Sequence, residues 1–374
     1  MNKTLTKRLR QRKQRIRYRL RNKQYEDRHD PMFSAANIHY EMAGRAHGLA
    51  YGGIGAMHLL ARRTGLIEAI DSKLDLLKCH LPYHESDHVL NIAYNILCNG
   101  HCLEDIERLR NDEVYLDALG TERIPDPTTA GDFCRRYSEQ DVQILMNIIN
   151  DVRLRVWARQ PDKFFDEAII DADGTIAGTT GECKEGMDIS YKGIWGYHPL
   201  LISLANTGEP LYLVNRSGNC TSSAGAAVYL NQAIDLCLTA GFRKILMRGD
   251  TDFSQTRELD RWDDERVTFI FGISAMRNLE SIADKLPEGL WKPLIRPSKY
   301  EVCTEPRRRP ENVKERIVVE RGYKNIRLQS EHVAEFDYRP TKCCKTYRIV
   351  VLRKNLSVEK GQQVLFDDIR YFFY

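Results

Sequence analysis

The sequence lacks the features of membrane-spanning and secreted proteins. No run of about 18 apolar residues occurs, so no transmembrane helix is predicted, and no apolar segment follows the basic N-terminus as in a secretory signal. The ten cysteines are scattered and form no CxxC pair, which does not favour a disulfide framework. We therefore expect a cytoplasmic protein with free thiols and no membrane partner.

Motifs for zinc and for nucleotide phosphates are also missing. The nearest approach to a zinc pattern is interrupted by Pro82, and no second ligand pair follows at zinc-finger spacing. A glycine-rich stretch at residues 44–55 lacks the Lys-Ser/Thr ending of a phosphate-binding loop, so we interpret it as turns before a helix. The four residues of the weak zinc pattern are Cys79, His80, His84 and His88.

Positive charge is concentrated at the N-terminus, although the net charge is only +4. Residues 1–30 hold twelve Lys and Arg against three acids. Alternating arginines with Tyr18 among them could follow phosphates while the ring stacks on a base, and a solvated disordered tail is the alternative. We expect this arm to contact nucleic acid and to become ordered on binding. Its candidate residues are Arg8, Arg10, Arg12, Arg15, Arg17, Arg19 and Arg21.

Residues 31–160 have the pattern of a helical domain. One helix is predicted from Ser86, its N-cap, to the turn at Gly100, and a later one starts at Thr128 or Thr129. Arg135 and Arg136 give that later helix a basic face, which suits a DNA-reading domain and an ordinary bundle equally well. A longer helix at 139–158 has an apolar stripe made of Val142, Leu145, Met146, Ile149, Val152 and Val156.

Two apolar runs end in acids and form the most informative feature of the sequence. At 169–174 a strand pattern runs into Asp171 and Asp173, which share a face because alternate side chains of a strand do. The run at 244–250 ends likewise in Asp250, and the helical pattern before it favours a crossover that brings the two strands together. Acids at strand ends are often plain turn residues, but the pair predicts a metal site.

The remaining elements give the order strand, strand, strand, helix, strand, helix, strand. A hairpin is predicted at 197–214 with its turn at 206–208, and a helix at 224–239 is closed by Gly241. A helix at 253–262 and a strand at 267–272 follow the run into Asp250. Acids thus end the first and fourth strands.

This order resembles the ribonuclease-H-like core of DDE-type transposases of bacterial insertion sequences, over residues 80–374. The resemblance implies an α/β fold, a mixed sheet with flanking helices, preceded by a helical domain and followed by an antiparallel β insertion. The expected division is 1–30, 31–160, 161–275 and 276–374. The motifs that carry it are Asp171-Ala172-Asp173-Gly174-Thr175, Gly181-Glu182, Trp195-Gly196-Tyr197-His198-Pro199 and Arg248-Gly249-Asp250.

The resemblance also implies the chemistry and the partners. Asp171 would be the first catalytic acid and Asp250 the second, with Asp173 and Asp252 as supporting groups. The expected cofactor is Mg²⁺, or Mn²⁺ in its place, in a two-ion site for phosphodiester cleavage and strand transfer. The expected partners are double-stranded DNA, as terminal inverted repeats and target, and a second copy of the chain. The place of action would be the nucleoid.

The third acid of this family is not found in the sequence. From Met276 onwards the chain predicts strands at 317–319, 334–338, 347–352 and 364–366, as in the β insertion. Tyr323, Arg327 and Glu331 approach the expected helix motif, but their spacing differs from it. We therefore expect a truncated product that binds DNA and cleaves it slowly. A non-catalytic DNA-binding remnant and a metal-dependent nuclease or phosphatase are the alternatives.

Overall fold

The chain forms two compact units, Met1–Gln160 and Pro161–Tyr374. The computed structural model describes residues 10–11, 13–14, 17–18, 29–34, 51–181, 184–295, 327–359 and 362–374. In these ranges, no helix has both the length and the apolar character needed to cross a membrane. The predicted division into four segments stays a prediction.

The described part of the first unit is helical. Aspartates begin two of its helices, since Asp112 and Asp126 each accept two backbone N–H groups of the first turn. Gly120, in the left-handed region, ends one of these helices. The helices are α1 (Ile54–Arg63), α2 (Leu66–Lys73), α3 (Glu85–Leu97), α4 (Ile106–Arg110), α5 (Glu113–Leu119), α6 (Pro127–Cys134) and α7 (Glu139–Trp157).

Helix α3 begins earlier than predicted, and its first turn is buried and polar. The N-cap is His84 instead of Ser86, because Asp87 Oδ2 accepts the His84 N–H at 2.9 Å. Ser86 instead donates both its N–H and its hydroxyl to Asp71. Glu85, Ser86 and Asp87 are at most 2% exposed, so this turn organises the segments around it. The apolar core of the unit includes Ile54, Leu90, Tyr94, Ile106, Tyr115 and Ile124.

The buried face of α7 differs from the predicted stripe. Ile148 is fully buried in a cluster with Ala69, Ile70 and Leu74, which α2 and its C-terminal end supply. Three predicted stripe residues are instead 40–42% exposed. The apolar residues of α7 cover more than half its circumference, so the position of α2, and not periodicity, selects the buried side. The three exposed residues are Val142, Ile149 and Val156.

The second unit is built on a five-stranded mixed sheet in the order β6-β5-β1-β7-β8. Strand β1 is antiparallel to β5 and parallel to β7, and β7 is parallel to β8. With flanking helices and a separate antiparallel sheet, this confirms the predicted α/β fold class. The strands are β1 (Ala168–Gly174), β5 (Leu200–Leu204), β6 (Glu209–Val214), β7 (Ile245–Gly249) and β8 (Thr268–Phe271).

Two helices cover one face of this sheet. Helix α8 (Ala226–Ala240) contacts β1, β5 and β6 and ends at Gly241, as predicted. Helix α9 (Leu259–Asp264) places Trp262 against two phenylalanines of β8. The predicted helix at 253–262 is thus shorter, since Thr251–Phe253 is a separate 3₁₀ turn. The inward side chains Ala168, Ile170 and Met247 are completely buried.

A small sheet lies between β1 and β5, in a stretch for which the sequence predicts no strands before residue 197. Its order is β2-β4-β3, with strands of two or three residues. Gly196 is required there, because a Cβ would lie 2.1 Å from the Ala177 carbonyl oxygen. The strands are β2 (Ala177–Gly178), β3 (Asp188–Ile189) and β4 (Trp195–Tyr197).

The C-terminal part of the unit is a four-stranded antiparallel sheet in the order β12-β11-β10-β9. Helix α10 (Arg277–Asp284) packs Leu279 and Ala283 on it. The strands predicted at 334–338, 347–352 and 364–366 lie within it, while 317–319 and Tyr323 lie outside the described residues. Its strands are β9 (Lys292–Pro293), β10 (Arg327–Tyr338), β11 (Tyr347–Glu359) and β12 (Gln362–Phe373).

Candidate active site

The predicted acids lie on the same face of the five-stranded sheet, although Asp171 lies within β1 and does not end it as the sequence predicts. Strands β1 and β7 are adjacent and parallel, with Asp171 opposite Arg248. Asp250 follows β7 in extended conformation, so the alternation of faces continues to it. By strand geometry, the Cα atoms of Asp171 and Asp250 are roughly 8 Å apart. Asp173 shares their face, and the register continued by one residue sets it beside Asp250.

This face is exposed, in contrast to the helix-covered one. Leu213 and Ile270, which belong to it through the strand register, are 56% and 52% exposed. Asp173 and Asp250 are also exposed. The acids are therefore accessible to a large ligand.

Arg248 holds the carboxylate of Asp171 in a fork. Its Nε lies 2.7 Å from Oδ1, and its Nη2 lies 2.7 Å from Oδ2. The hydrogen bonds from Arg248 to Asp171 raise the pKa of the arginine. The side chains are 45% and 36% exposed, so water screens this pair. Both oxygens of the predicted first acid thus have a partner.

Asp250 is held by the turn that it begins. Its Oδ1 accepts the N–H of Asp252 at 2.9 Å, which caps the 3₁₀ turn Thr251–Phe253. Gly249 fixes the backbone before it, because a Cβ there would lie 2.8 Å from Phe253 Cβ and 3.1 Å from a Phe271 ring carbon. Close packing on the buried face therefore positions the acid on the exposed one.

Two residues around the end of β1 and the loop after β6 had no role in the sequence-based prediction. His198 is 1% exposed, its Nδ1 lies 2.8 Å from the Cys220 carbonyl oxygen, and a Cβ at Gly174 would lie 2.8 Å from its Nε2. The His198 ring thus packs against the end of β1. Arg216 donates to the carbonyl oxygens of His198, Ser222 and Ala224 and so fixes the loop after β6. In the sequence, the His198-Pro199 peptide is a signal for His198, whereas no sequence pattern marks Arg216.

The donor types on this face fit a hard divalent cation. Mg²⁺ takes one or two carboxylates and fills its shell with water and phosphate oxygens, and Asp171, Asp173 and Asp250 are donors of this kind. Among the residues that the structure describes, no three His, Cys, Asp or Glu side chains converge as a metal cluster. Glu331 lies on β10 of the other sheet, where its Oε1 is 3.4 Å from Lys354 Nζ.

The predicted DNA-binding arginines fall into two groups. Arg135 pairs with Asp132 at 2.6 Å, and Arg136 donates to the Leu76 carbonyl oxygen, so both have protein partners. Of the arm, Arg10 and Arg17 are described and exposed. Outside the described residues lie Arg8, Arg12, Arg15, Arg19 and Arg21.

Comparison with known proteins identifies the family. No curated protein matches the chain. Among solved structures, the piggyBac transposase in a synaptic complex with hairpin DNA is similar, with 11% sequence identity and a TM-score of 0.38. The match covers 84% of this chain and 60% of that one. The family described as Transposase DDE domain group 1 matches residues 30–363. Because this match spans most of the chain, the protein belongs to that transposase family.

Proposed function

We propose that this chain acts in DNA transposition by metal-dependent phosphodiester cleavage and strand transfer at the ends of a bacterial insertion sequence. Asp171 and Asp250 are the proposed catalytic metal ligands, with Asp173 as an additional donor. The observation that carries this proposal is the position of the acids on one exposed face, along and just after two adjacent parallel strands. The family match supports the reaction class.

The residues of the site have separable tasks. Bound Mg²⁺, or Mn²⁺ in its place, would activate the attacking hydroxyl and neutralise charge on the phosphate. Asp171 and Asp250 would hold the ions, and the Asp252 N–H fixes the orientation of Asp250. The third acid that the resemblance implies stays unassigned, since Glu331, the nearest candidate, belongs to the other sheet.

The DNA would be double-stranded, as terminal inverted repeats and as target. Arginines of the arm would neutralise its phosphates, which gives affinity without sequence specificity. Since strand transfer joins donor ends to a target, we also propose that two copies of the chain act together on the DNA.

Mn²⁺ titration of the full chain tests the metal site. Asp171→Asn and Asp250→Asn should each weaken Mn²⁺ binding at least about tenfold, since even outer-shell changes at metal sites cost 10–100-fold. Asp166→Asn is the matched control, because Asp166 is an exposed aspartate of the same unit that pairs with Arg243. Binding unchanged in both site variants would end the proposal. A pre-cleaved DNA end with a target plasmid then separates joining from the simple hydrolysis of a nuclease.

A further inference from the structure

Arg248 differs from Arg216 in what its side chain binds. Among the described residues, Arg216 donates to backbone carbonyl oxygens only and stabilises a loop. Arg248 donates to both oxygens of Asp171, and within the described ranges its side chain makes no other hydrogen bond. Loop structure therefore depends on Arg216, whereas the contacts of Arg248 concern the proposed metal ligand.

The fork of Arg248 and a metal ion need the same atoms. Asp171 has two oxygens, and each accepts a hydrogen bond at 2.7 Å from the guanidinium. An ion that coordinates Asp171 must take at least one of them. Because the pair is exposed to water, its strength is modest and displacement costs only a few-fold in ion affinity.

The guanidinium of Arg248 can also bind a phosphate group. Its planar fork matches phosphate as well as carboxylate, and Arg248 points from the same exposed face as Asp171. DNA that reaches the acids would therefore bring phosphate oxygens to this arginine.

We propose that Arg248 competes with the divalent ion for Asp171, and that the guanidinium released by ion binding takes up a phosphate of the DNA. This inference rests on the proposed role of Asp171 as a metal ligand. Arg248 is then a positioning residue, which couples ion binding to DNA binding at the site.

Mn²⁺ binding measured by titration calorimetry tests the competition. Arg248→Gln should bind Mn²⁺ about two- to fivefold more tightly, the range expected for loss of an exposed ion pair. Arg248→Lys keeps the charge without the fork and should lie between Gln and wild type. Arg243→Gln is the matched control: Arg243 is 47% exposed and pairs with Asp162 and Asp166 just before β7. It should leave binding unchanged.

The variants separate failure of the inference from failure of the metal site. If Asp171→Asn leaves Mn²⁺ binding intact, both proposals fail. If Asp171→Asn weakens it while Arg248→Gln does not tighten it, the metal site stands and the competition is refuted. A Lys variant equal to wild type would refute competition through the fork, because charge alone would explain the effect.

DNA binding in Ca²⁺ tests the second half of the proposal without any cleavage readout. Each phosphate contact contributes about 0.9 to the slope of log K against log salt concentration. Arg248→Gln should lower that slope by about 0.9 in Ca²⁺ and leave it unchanged without a divalent ion. Equal slopes of wild type and variant in Ca²⁺ would refute the phosphate contact.

Discussion

Asp87 is a buried carboxylate of the first unit whose replacement should strongly lower the free energy of unfolding. It is fully buried, and its carboxylate accepts three backbone N–H groups. Oδ2 accepts those of Met32 and His84 at 2.9 Å, and Oδ1 accepts that of Phe33 at 3.1 Å. One side chain thus caps α3 and holds the segment at 29–34, which follows the basic arm.

The magnitude follows from the donors left without a partner. A buried unsatisfied N–H costs about 1–3 kcal/mol. Because Asp87→Ala leaves three such groups without an acceptor, it could lower the free energy of unfolding by about 3–9 kcal/mol. Burial raises the pKa of Asp87, which shows that its charge is itself costly to bury and offsets part of this loss. We expect about 3–5 kcal/mol for Ala. Asp87→Asn keeps one acceptor oxygen and should cost about 2–4 kcal/mol.

Urea unfolding followed by circular dichroism, with hydrogen exchange at the Met32 and Phe33 amides, measures the effect. Asp126→Asn is the matched control, because Asp126 also accepts two backbone N–H groups but at a helix N-cap, where Asn serves equally well. It should change stability by less than about 0.5 kcal/mol. An Asp87→Asn protein as stable as this control, with unchanged exchange at Met32, would refute the reasoning.

Three further predictions concern acid, packing and charge. Burial lowers the pKa of His58 to about 4, so as the pH falls His58 takes up a proton in the unfolded chain before it does so in the folded one. The free energy of unfolding should therefore fall by up to about 3 kcal/mol between pH 6.5 and 4. His58→Gln should make the free energy of unfolding less dependent on pH in this range. Gly249→Ala should lower the free energy of unfolding by about 1–3 kcal/mol, since its Cβ meets Phe253, and the displaced backbone should also weaken Mn²⁺ binding. A variant that binds Mn²⁺ as tightly as wild type would contradict this. Deleting residues 1–28 should lower the salt slope of DNA binding by about 0.9 per lost phosphate contact, whereas an equal slope would make the arm a solvated tail.

The sheet of the second unit could be predicted because its signals are local. Apolar runs of strand length, a glycine that closes a helix and the crossover rule suffice to make β1 and β7 neighbours. The positions of Asp171 and Asp250 follow from these same signals. Strands of two or three residues, such as Ala177–Gly178, are too short to show any periodicity, so the small sheet could not be predicted.

The polar network of the first unit was out of reach for a different reason. Its hydrogen bonds join residues far apart in sequence, such as Asp87 with Met32 and Asp71 with Ser86. Ser86 looks like a helix cap by residue type, yet a tertiary partner takes its side chain. The buried side of α7 depends in the same way on where α2 lies. Tertiary contacts, and not local preference, decide each case.

The role of Arg248 lies between these two situations. Alternation along the strand puts Arg248 and Asp250 on one face, which the sequence shows directly. The contact with Asp171 depends in addition on the register of β1 against β7. A shift of one residue would have placed Arg248 opposite the residue between Asp171 and Asp173, whose side chain lies on the other face of the sheet. Register is fixed here by buried side chains on the opposite face, such as Ile170 and Met247.

The aspartates of the two units differ in how their carboxylates are held. Asp87 is fully buried, and three rigid backbone donors hold it, so no oxygen is left for a ligand. Asp171 is 36% exposed, and its partner is a long flexible side chain that can leave at small cost. One oxygen of Asp250 accepts a backbone N–H of the turn that follows, and the side chain is exposed. A carboxylate that must exchange ligands needs removable partners, and Asp171 has one where Asp87 does not.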